Sequence, residues 1–260
     1  MGLLGNIRQK LLSRYKTGVV FTHVQKCGGS SVEAALFRRY RLSRERIYPI
    51  ESRAAERLAD PASTDISAHP ELLSFDFRRK LLAYALEKGT LCVTGHNPIN
   101  EAIREKHRHS HKFITVLRDP VERFCSHYRY VYRSGLGTSV DQEIDEFVTT
   151  ERARWYGSNY ATFFGGSPAH QPTVSTAEVE AAKKLLLSFD VVGFLDRMES
   201  FEQQLSDQLS LNINIGYENR TSERSTHWRG DFSNETLKRI RDLCQPNIEI
   251  YNYVREKRAA

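Results

Sequence analysis

The chain has 260 residues, of which 40% are hydrophobic and 27% are charged, and its formal net charge is +6 at pH 7. This composition excludes a collagen-like, low-complexity or globally disordered chain, and no apolar run approaches the ~20 residues that a membrane-spanning helix needs. The excess of Lys and Arg (38) over Asp and Glu (32) indicates an anionic partner, and a nucleic acid, an anionic glycan and a phosphorylated cofactor all fit that charge.

We predict a single domain over residues 1–260, because single α/β domains commonly reach this length. Residues 1–16 are expected to form a short basic lead-in. Its apolar stretches are too short for the core of a signal peptide, so the expected location is the cytoplasm. The segments 53–70 and 163–175 have the composition of loops.

The cysteines are scattered along the chain, and no two of them form a CxxC pair. They are Cys27, Cys92, Cys125 and Cys244. This spacing indicates reduced thiols rather than a disulfide framework or a zinc site.

Four short apolar segments are predicted to be strands. They are Gly18–Val24, Leu91–Thr94, Phe113–Leu117 and Val191–Leu195. Because these segments are almost continuously apolar, they are typical of strands that are covered on both faces, as in a parallel sheet.

Helical patterns lie between and after these strands. They cover Ser30–Tyr40, Leu72–Lys88, Val121–Arg133, a segment opened by a capping box at Ser139 and Gln142, a second capped segment from Ser175 and Glu178 to Phe189, the stripe Phe201, Leu205 and Leu209, and the segment from Ser233 onward. The alternation of strands and helices predicts an α/β fold with a central, mainly parallel sheet flanked by helices.

The turn after the first predicted strand has the composition of an anion site. It has the sequence V-Q-K-C-G-G-S-S over residues 24–31. Glycines let the backbone approach a ligand, Lys26 adds positive charge, and the next helix presents free N–H groups. A tight strand-to-helix turn that contains a lysine is the alternative. Because the lysine precedes the glycines, this is not a Walker A loop, and ordinary ATP or GTP hydrolysis is disfavoured.

A second candidate anion site follows the strand Phe113–Leu117. The sequence over residues 117–128 is L-R-D-P-V-E-R-F-C-S-H-Y. Arg118 stands at the carboxyl end of the strand, where ligands collect in open α/β sheets. A second anionic group fits between Arg118 and Ser126, while a local cap or ion pair between Asp119 and Arg123 is the alternative.

The segment T-G-H-N-P at residues 94–98 follows the second predicted strand and contains His96. This position places His96 at the same edge of the sheet as Lys26 and Arg118. A neutral imidazole can take a proton from a hydroxyl near pH 7, and the rate should then fall in acid near the unperturbed pKa of about 6.5. A histidine that only caps the next helix or packs in a loop is the alternative.

The ordered pair of motifs at 21–31 and 117–128 resembles the sulfotransferases, in particular the group that includes the heparan sulfate 2-O-sulfotransferases and many bacterial relatives. The resemblance implies a three-layer, P-loop-like domain. It also implies that the first motif binds the 5′-phosphosulfate and the second binds the 3′-phosphate of 3′-phosphoadenosine 5′-phosphosulfate (PAPS). The implied PAPS-binding residues are Lys26, Cys27, Gly28, Gly29, Ser30, Ser31, Arg118, Ser126 and Arg220. The implied catalytic residues are His96, as the base, and Lys26.

The first motif departs from the family's usual pattern, which is closer to H-V-P-K-T-G-G-T-S. Gln25 replaces a proline, and Cys27 and Ser30 replace threonines. Ser30 keeps a hydroxyl and Cys27 keeps a backbone N–H, so we expect a change in affinity rather than a loss of function.

The predicted function is a PAPS-dependent sulfotransferase that moves a sulfuryl group to an acceptor hydroxyl, with a carbohydrate as the first choice of acceptor. The expected partners are this anionic nucleotide and the acceptor, and neither a metal ion nor a nucleic acid is expected. The alternatives are a nucleotide kinase of the P-loop class and a non-catalytic protein that binds anions or glycans on the same fold.

Three smaller segments keep two interpretations each. Residues 219–222, with Arg220, either cover the 3′-phosphate and adenine or form a solvated loop. The run K-H-R-H-S-H-K at 106–112 is favoured as a solvated basic edge over a metal site, and it could also lie along an anionic acceptor. The aromatic side chains of Trp155, Tyr156 and Tyr160 either stack on a ligand or belong to the core.

Overall fold

The computed structural model describes residues 17–41, 47–59, 70–135, 139–166, 173–216 and 232–259. Within these ranges, five strands form one sheet in which every pairing is parallel. The strands are β1 (Gly18–Thr22), β2 (Ile47–Ile50), β3 (Cys92–Gly95), β4 (His111–Leu117) and β5 (Val191–Phe194). Their order across the sheet is β2-β3-β1-β4-β5.

Helices connect the strands and continue beyond the last one. They are α1 (Gly29–Tyr40), α2 (Ser52–Ala59), α3 (Pro70–Glu87), α4 (Glu101–His107), α5 (Pro120–Val131), α6 (Ile144–Phe147), α7 (Glu151–Gly157), α8 (Thr176–Ser188), α9 (Met198–Leu209), α10 (Asn234–Leu243) and α11 (Gln245–Ala259). A π-helical turn covers Ala161–Gly165 and a 3₁₀ turn covers Leu195–Arg197. None of the helices in the described ranges is long and apolar enough to cross a membrane.

The side chains of β1 alternate between two hydrophobic clusters, one on each face of the sheet. Val20 lies in a cluster with residues of α3, α5, α7, α8, α10 and α11. Val19 and Phe21 lie in the other cluster, with residues of α1 and α9. The sheet is therefore covered on both faces, which confirms the predicted three-layer α/β architecture and explains why its inner strands are mainly apolar.

The four predicted strands are confirmed, and a fifth strand was not predicted. The missing strand is β2, which lies at the edge of the sheet and contains Pro49. Proline has no N–H for a sheet ladder and is tolerated at such an edge. Because β2 has only four residues and three of them are partly exposed, it lacks the continuous apolar pattern of the inner strands.

The helix predictions are mostly confirmed, including the capping box that opens α8. Glu178 N donates to Ser175 Oγ at 3.3 Å, and Ser175 N donates to Glu178 Oε2 at 2.7 Å. The capping box predicted at Ser139 and Gln142 is wrong, because the Ser139 hydroxyl donates to the Val131 carbonyl oxygen and the next helix, α6, begins later.

Two expected loops contain helical structure. The helix α2 occupies the start of the segment 53–70, and the π-helical turn enters the segment 163–175. The helix α4 was also not predicted. The four cysteines are free and buried, as expected of reduced thiols. The single-domain organisation over 1–260 stays a prediction.

The strand register aligns the carboxyl ends of the three central strands. In β1, Thr22 pairs with Gly95 of β3 on one side and with Thr115 of β4 on the other. In β4, Leu117 pairs with Phe194 of β5. The residues that follow these strands therefore meet at one edge of the sheet, which is where open parallel sheets bind ligands.

Candidate active site

The turn between β1 and α1 holds the first candidate site. Lys26 has φ 65° and Gly28 has φ 77°, so both lie in the left-handed region that disfavours ordinary side chains. A Cβ atom on Gly28 would also stand 2.6 Å from Leu195 Cδ1. Gly28 is the N-cap of α1 and provides no side-chain cap. The first N–H groups of this helix are therefore left for an anion.

The side chains of this turn are divided between solvent and the interior. Gly28 and Ser30 are exposed, Ser31 is half-buried and Gly29 is buried. Cys27 is also buried, and its Sγ lies 3.7 Å from the Gln25 carbonyl oxygen. Burial raises the pKa of this thiol. Cys27 can therefore offer its backbone N–H to a ligand, while its side chain packs inward.

The Lys26 ammonium lies over an aromatic ring at the mouth of this turn. Its Nζ is 4.0 Å from the centroid of the Tyr130 ring, on α5. Burial, and then the charge of Arg118, lower the pKa of Lys26. Both effects disfavour the ammonium form, and an anion bound between the two cations would oppose them.

The second candidate site follows β4 and contacts the first. Arg118 Nη1 donates to the Lys26 carbonyl oxygen at 3.4 Å, and Arg118 Nε lies 3.5 Å from Glu122 Oε2. Asp119 caps α5 by accepting a hydrogen bond from Glu122 N at 3.0 Å. Two cationic residues from separate motifs, Lys26 and Arg118, thus stand at one end of the sheet.

The other polar residues of the second motif take different positions on α5. Ser126 is half-buried in the second turn of the helix. Arg123 is fully buried and donates to the carbonyl oxygen of Tyr156. The local alternative of an ion pair between Asp119 and Arg123 is therefore wrong, although the cap by Asp119 is confirmed.

The imidazole of His96 has a defined tautomer. Its Nδ1 lies 2.5 Å from the carbonyl oxygen of His23. Since a carbonyl oxygen can only accept, Nδ1 carries the proton and Nε2 keeps a lone pair in the neutral ring. Burial, and then the charges of His23 and Arg78, lower the pKa of His96 well below 6.5. The structure thus provides a neutral imidazole whose Nε2 lone pair can accept a proton.

Two histidines near this edge, His23 and His127, were not singled out from the sequence, and Tyr160 was given no specific role there. His23 is buried, with its Nδ1 3.3 Å from Glu33 Oε1 and its ring centroid 4.5 Å from that of His96. His127 is buried and stacks on Tyr156 at 3.9 Å. Tyr160, for which the sequence allowed either stacking on a ligand or a place in the core, forms hydrogen bonds through its hydroxyl with the main chain of Arg118. The first two lie inside the quoted motifs, and that is the one signal that could have found them.

The remaining candidate residues that the structure describes are either in the core or at the opposite edge of the sheet. The aromatic group Trp155, Tyr156 and Tyr160 is at most 3% exposed, which favours the core interpretation. In the histidine run, His107 Nε2 lies 3.3 Å from Glu87 Oε1, and His111 Nε2 lies 2.7 Å from the Thr90 carbonyl oxygen. The described ranges contain no group of three or more side chains suited to a metal ion. Arg220 and the segment 219–222 lie outside the described residues.

The carboxyl edge of this parallel sheet carries a glycine-rich turn with a lysine, beside an arginine. This arrangement is typical of α/β domains with nucleotide-phosphate sites. Comparison with protein families identifies the class: the sequence model of the sulfotransferase family matches residues 10–254. The chain belongs to the sulfotransferase family. A search of curated proteins gives no match. The narrower resemblance to the heparan sulfate 2-O-sulfotransferase group stays a prediction.

Proposed function

We propose that this sulfotransferase takes the sulfuryl group from PAPS and transfers it to an acceptor hydroxyl. The observation that carries the proposal is the convergence of Lys26, His96 and Arg118 after three neighbouring strands. Arg118 Nη1 contacts the Lys26 carbonyl at 3.4 Å, and His96 Nδ1 contacts the carbonyl of the adjacent His23 at 2.5 Å. Two cations and a neutral base therefore stand at one edge of the sheet.

The residues present fit a donor with two anionic groups. The uncapped N-terminus of α1, together with Lys26, Ser30 and Ser31, fits the 5′-phosphosulfate, because free N–H groups, a cation and hydroxyls all favour a multiply charged anion. Arg118 and Ser126 fit the 3′-phosphate, since a guanidinium can donate two parallel hydrogen bonds to phosphate oxygens. A 3′-phosphate distinguishes this donor from ATP.

In the proposed mechanism, PAPS supplies the sulfuryl group and a phosphate leaving group. His96 Nε2 accepts the proton of the attacking hydroxyl, while its Nδ1–H stays bonded to His23 and fixes the ring. Lys26 and the N–H groups of its turn stabilise the negative charge that develops on the leaving phosphate. The contact between the two motifs positions the donor for in-line attack.

A carbohydrate is the acceptor class that we propose, because the motifs resemble a group that acts on glycans. The net charge of +6 is compatible with an anionic glycan. The cytoplasmic location stays a prediction.

Donor binding is the first property to test, by thermal unfolding with adenosine 3′,5′-bisphosphate and with ADP and ATP as controls. A ligand at 100 times its Kd adds about 2.7 kcal/mol of stability, which for a chain of this size raises Tm by roughly 5–10 °C. We expect this shift for the 3′-phosphorylated nucleotide alone, and we expect Lys26→Ala and Arg118→Ala to lose it. A shift with ATP alone would favour a nucleotide kinase, and no shift with any nucleotide would favour a non-catalytic binding protein.

The role of His96 is tested separately, with His96→Asn. Loss of a general base lowers turnover by about 10²–10⁴-fold, while the bisphosphate should still bind because the residues that fit it are unchanged. His109→Asn is the matched control, since His109 is exposed in the turn before β4. If His96→Asn turns over at the wild-type rate, another group is the base.

A further inference from the structure

The hydroxyl of Tyr160 lies where the two phosphate-binding motifs meet. It accepts a hydrogen bond from Arg118 N at 2.9 Å and donates one to the Arg118 carbonyl oxygen at 2.5 Å. It also lies 3.8 Å from the Sγ of Cys27, in the middle of the first turn. One phenol therefore contacts both motifs, although Tyr160 is 42 residues from Arg118 and 133 residues from Cys27 along the chain.

These bonds fix the backbone at the point where β4 ends. Arg118 directly follows the last residue of the strand, and both of its main-chain polar groups bond to the same side-chain oxygen. A buried main-chain group without a partner is costly, so the hydroxyl strongly favours one backbone conformation at this position. That conformation sets the direction in which the guanidinium leaves the chain.

Tyr160 is itself held rigidly. Its side chain is fully buried, and its main-chain N–H donates to Asn247 Oδ1 on α11 at 2.9 Å. The guanidinium carbon of Arg123 lies 6.0 Å from the centroid of its ring. Burial raises the pKa of Tyr160 well above 10, so the hydroxyl keeps its proton. The hydroxyl oxygen therefore keeps one position between Arg118 and the first turn.

We propose that Tyr160 is a positioning residue for the nucleotide donor: it holds Arg118 and the first turn at the spacing that the two anionic groups of the donor require. The inference rests on the proposed function, because the donor is what gives that spacing a purpose. Tyr160 does not touch the reacting atoms in this role. Its loss should therefore weaken donor binding, and recognition of the 3′-phosphate above all, while the chemical step continues.

The test compares Tyr160→Phe with Tyr40→Phe. Tyr40 is a matched control because it is also fully buried and its hydroxyl donates to a main-chain carbonyl, that of Thr17 at 3.2 Å, at the other end of the sheet. Titration calorimetry gives the Kd of each protein for adenosine 3′,5′-bisphosphate and for adenosine 5′-phosphate. The Kd for the monophosphate divided by the Kd for the bisphosphate measures recognition of the 3′-phosphate, and a lower ratio means weaker recognition.

For Tyr160→Phe we expect the bisphosphate Kd to rise about tenfold, which corresponds to 1.4 kcal/mol. The Kd for the monophosphate should change less than about threefold, and kcat at saturating donor should stay within about threefold while the KM for the donor rises. Tyr40→Phe should leave the ratio and both kinetic constants unchanged. Asn247→Ala removes the side chain that accepts the Tyr160 N–H but keeps the Tyr160 hydroxyl. It should lower the ratio, as Tyr160→Phe does.

An unchanged ratio in Tyr160→Phe would overturn the proposal. An equal loss of affinity for both nucleotides would give this unchanged ratio. A fall of the ratio in Tyr40→Phe as large as that in Tyr160→Phe would also overturn the proposal. Either result would mean that the Tyr160 hydroxyl contributes only to stability. If Tyr160→Phe does not fold, an unchanged ratio in Asn247→Ala overturns it instead. If the wild-type protein binds neither nucleotide, the proposed function fails first and the positioning role fails with it.

Discussion

The protonation of His96 depends on one main-chain atom and on burial. The carbonyl oxygen of His23 fixes the proton on Nδ1, and burial disfavours the charged ring. The residue pattern alone predicted loss of activity in acid near a pKa of about 6.5. The structure moves that expectation to lower pH, because the pKa of His96 lies well below the usual value in the folded protein.

The pH dependence of kcat/KM for the donor should show the lowered pKa of His96. Since the ratio reports the ionisation of the free enzyme, its acid limb should lie clearly below pH 6.5. The measurement is initial-rate kinetics from pH 5 to pH 8, with circular dichroism at each pH to verify folding. An acid limb at or above pH 6.5 would show that His96 is not in the environment described.

At the scale of elements, α9 packs closely on β5, and the 3₁₀ turn Leu195–Arg197 connects the two. Gly193 in β5 leaves room for the ring of Phe201, which is fully buried, and a Cβ atom there would stand 2.4 Å from Phe201 Cδ2. Leu195, which follows the strand, leaves no room for a side chain at Gly28 in the first turn, since a Cβ atom there would stand 2.6 Å from Leu195 Cδ1. The segment between β5 and α9 therefore lies close to the first turn of the candidate site.

We expect Gly193→Ala to destabilise the protein, because the added methyl group forces the Phe201 ring or the helix to shift. Such overpacking typically costs about 1–3 kcal/mol. Urea unfolding measures this cost, and Gln208→Ala at an exposed position of α9 is the control, with an expected change within about 0.5 kcal/mol. A Gly193→Ala protein as stable as the wild type would mean that α9 does not pack this closely on the sheet.

At the scale of the whole molecule, buried histidines link stability to pH. Burial lowers the pKa of His111 and of His127, which are only 4% and 5% exposed. In the unfolded chain these groups titrate near a pKa of about 6.5. Between that value and their lower folded values, the unfolded state binds more protons, so the free energy of unfolding falls as the pH falls.

We therefore expect stability to be greatest above pH 6.5 and to decline towards pH 5. Each such histidine contributes a slope of up to about 1.4 kcal/mol per pH unit. Urea unfolding at a series of pH values measures the slope, which should decrease in His111→Asn and stay unchanged in His109→Asn. Stability that rises towards pH 5 would contradict the buried, neutral state of these rings.

Some elements of this fold could be predicted from the sequence, and others could not, for identifiable reasons. The inner strands are covered on both faces, so β1 and the Phe113–Leu117 part of β4 are mainly apolar, and both strands were predicted to within two residues. The edge strand β2 is partly exposed and contains Pro49, so it gives no such pattern. At Ser139 the residue types of a capping box were present, but the hydroxyl bonds back to α5.

The sequence by itself determined the alternation of strands and helices, the glycine-rich turn with Lys26, and the placement of His96 and Arg118 after strands. These features follow from hydrophobic periodicity and from local turn chemistry, which act between near neighbours in the chain. Only the tertiary structure decided that the His23 carbonyl fixes the proton of His96, and that the Tyr160 hydroxyl bonds to Arg118. Periodicity indicates which side chains face the interior, but the partner of a buried polar atom depends on how distant elements pack together.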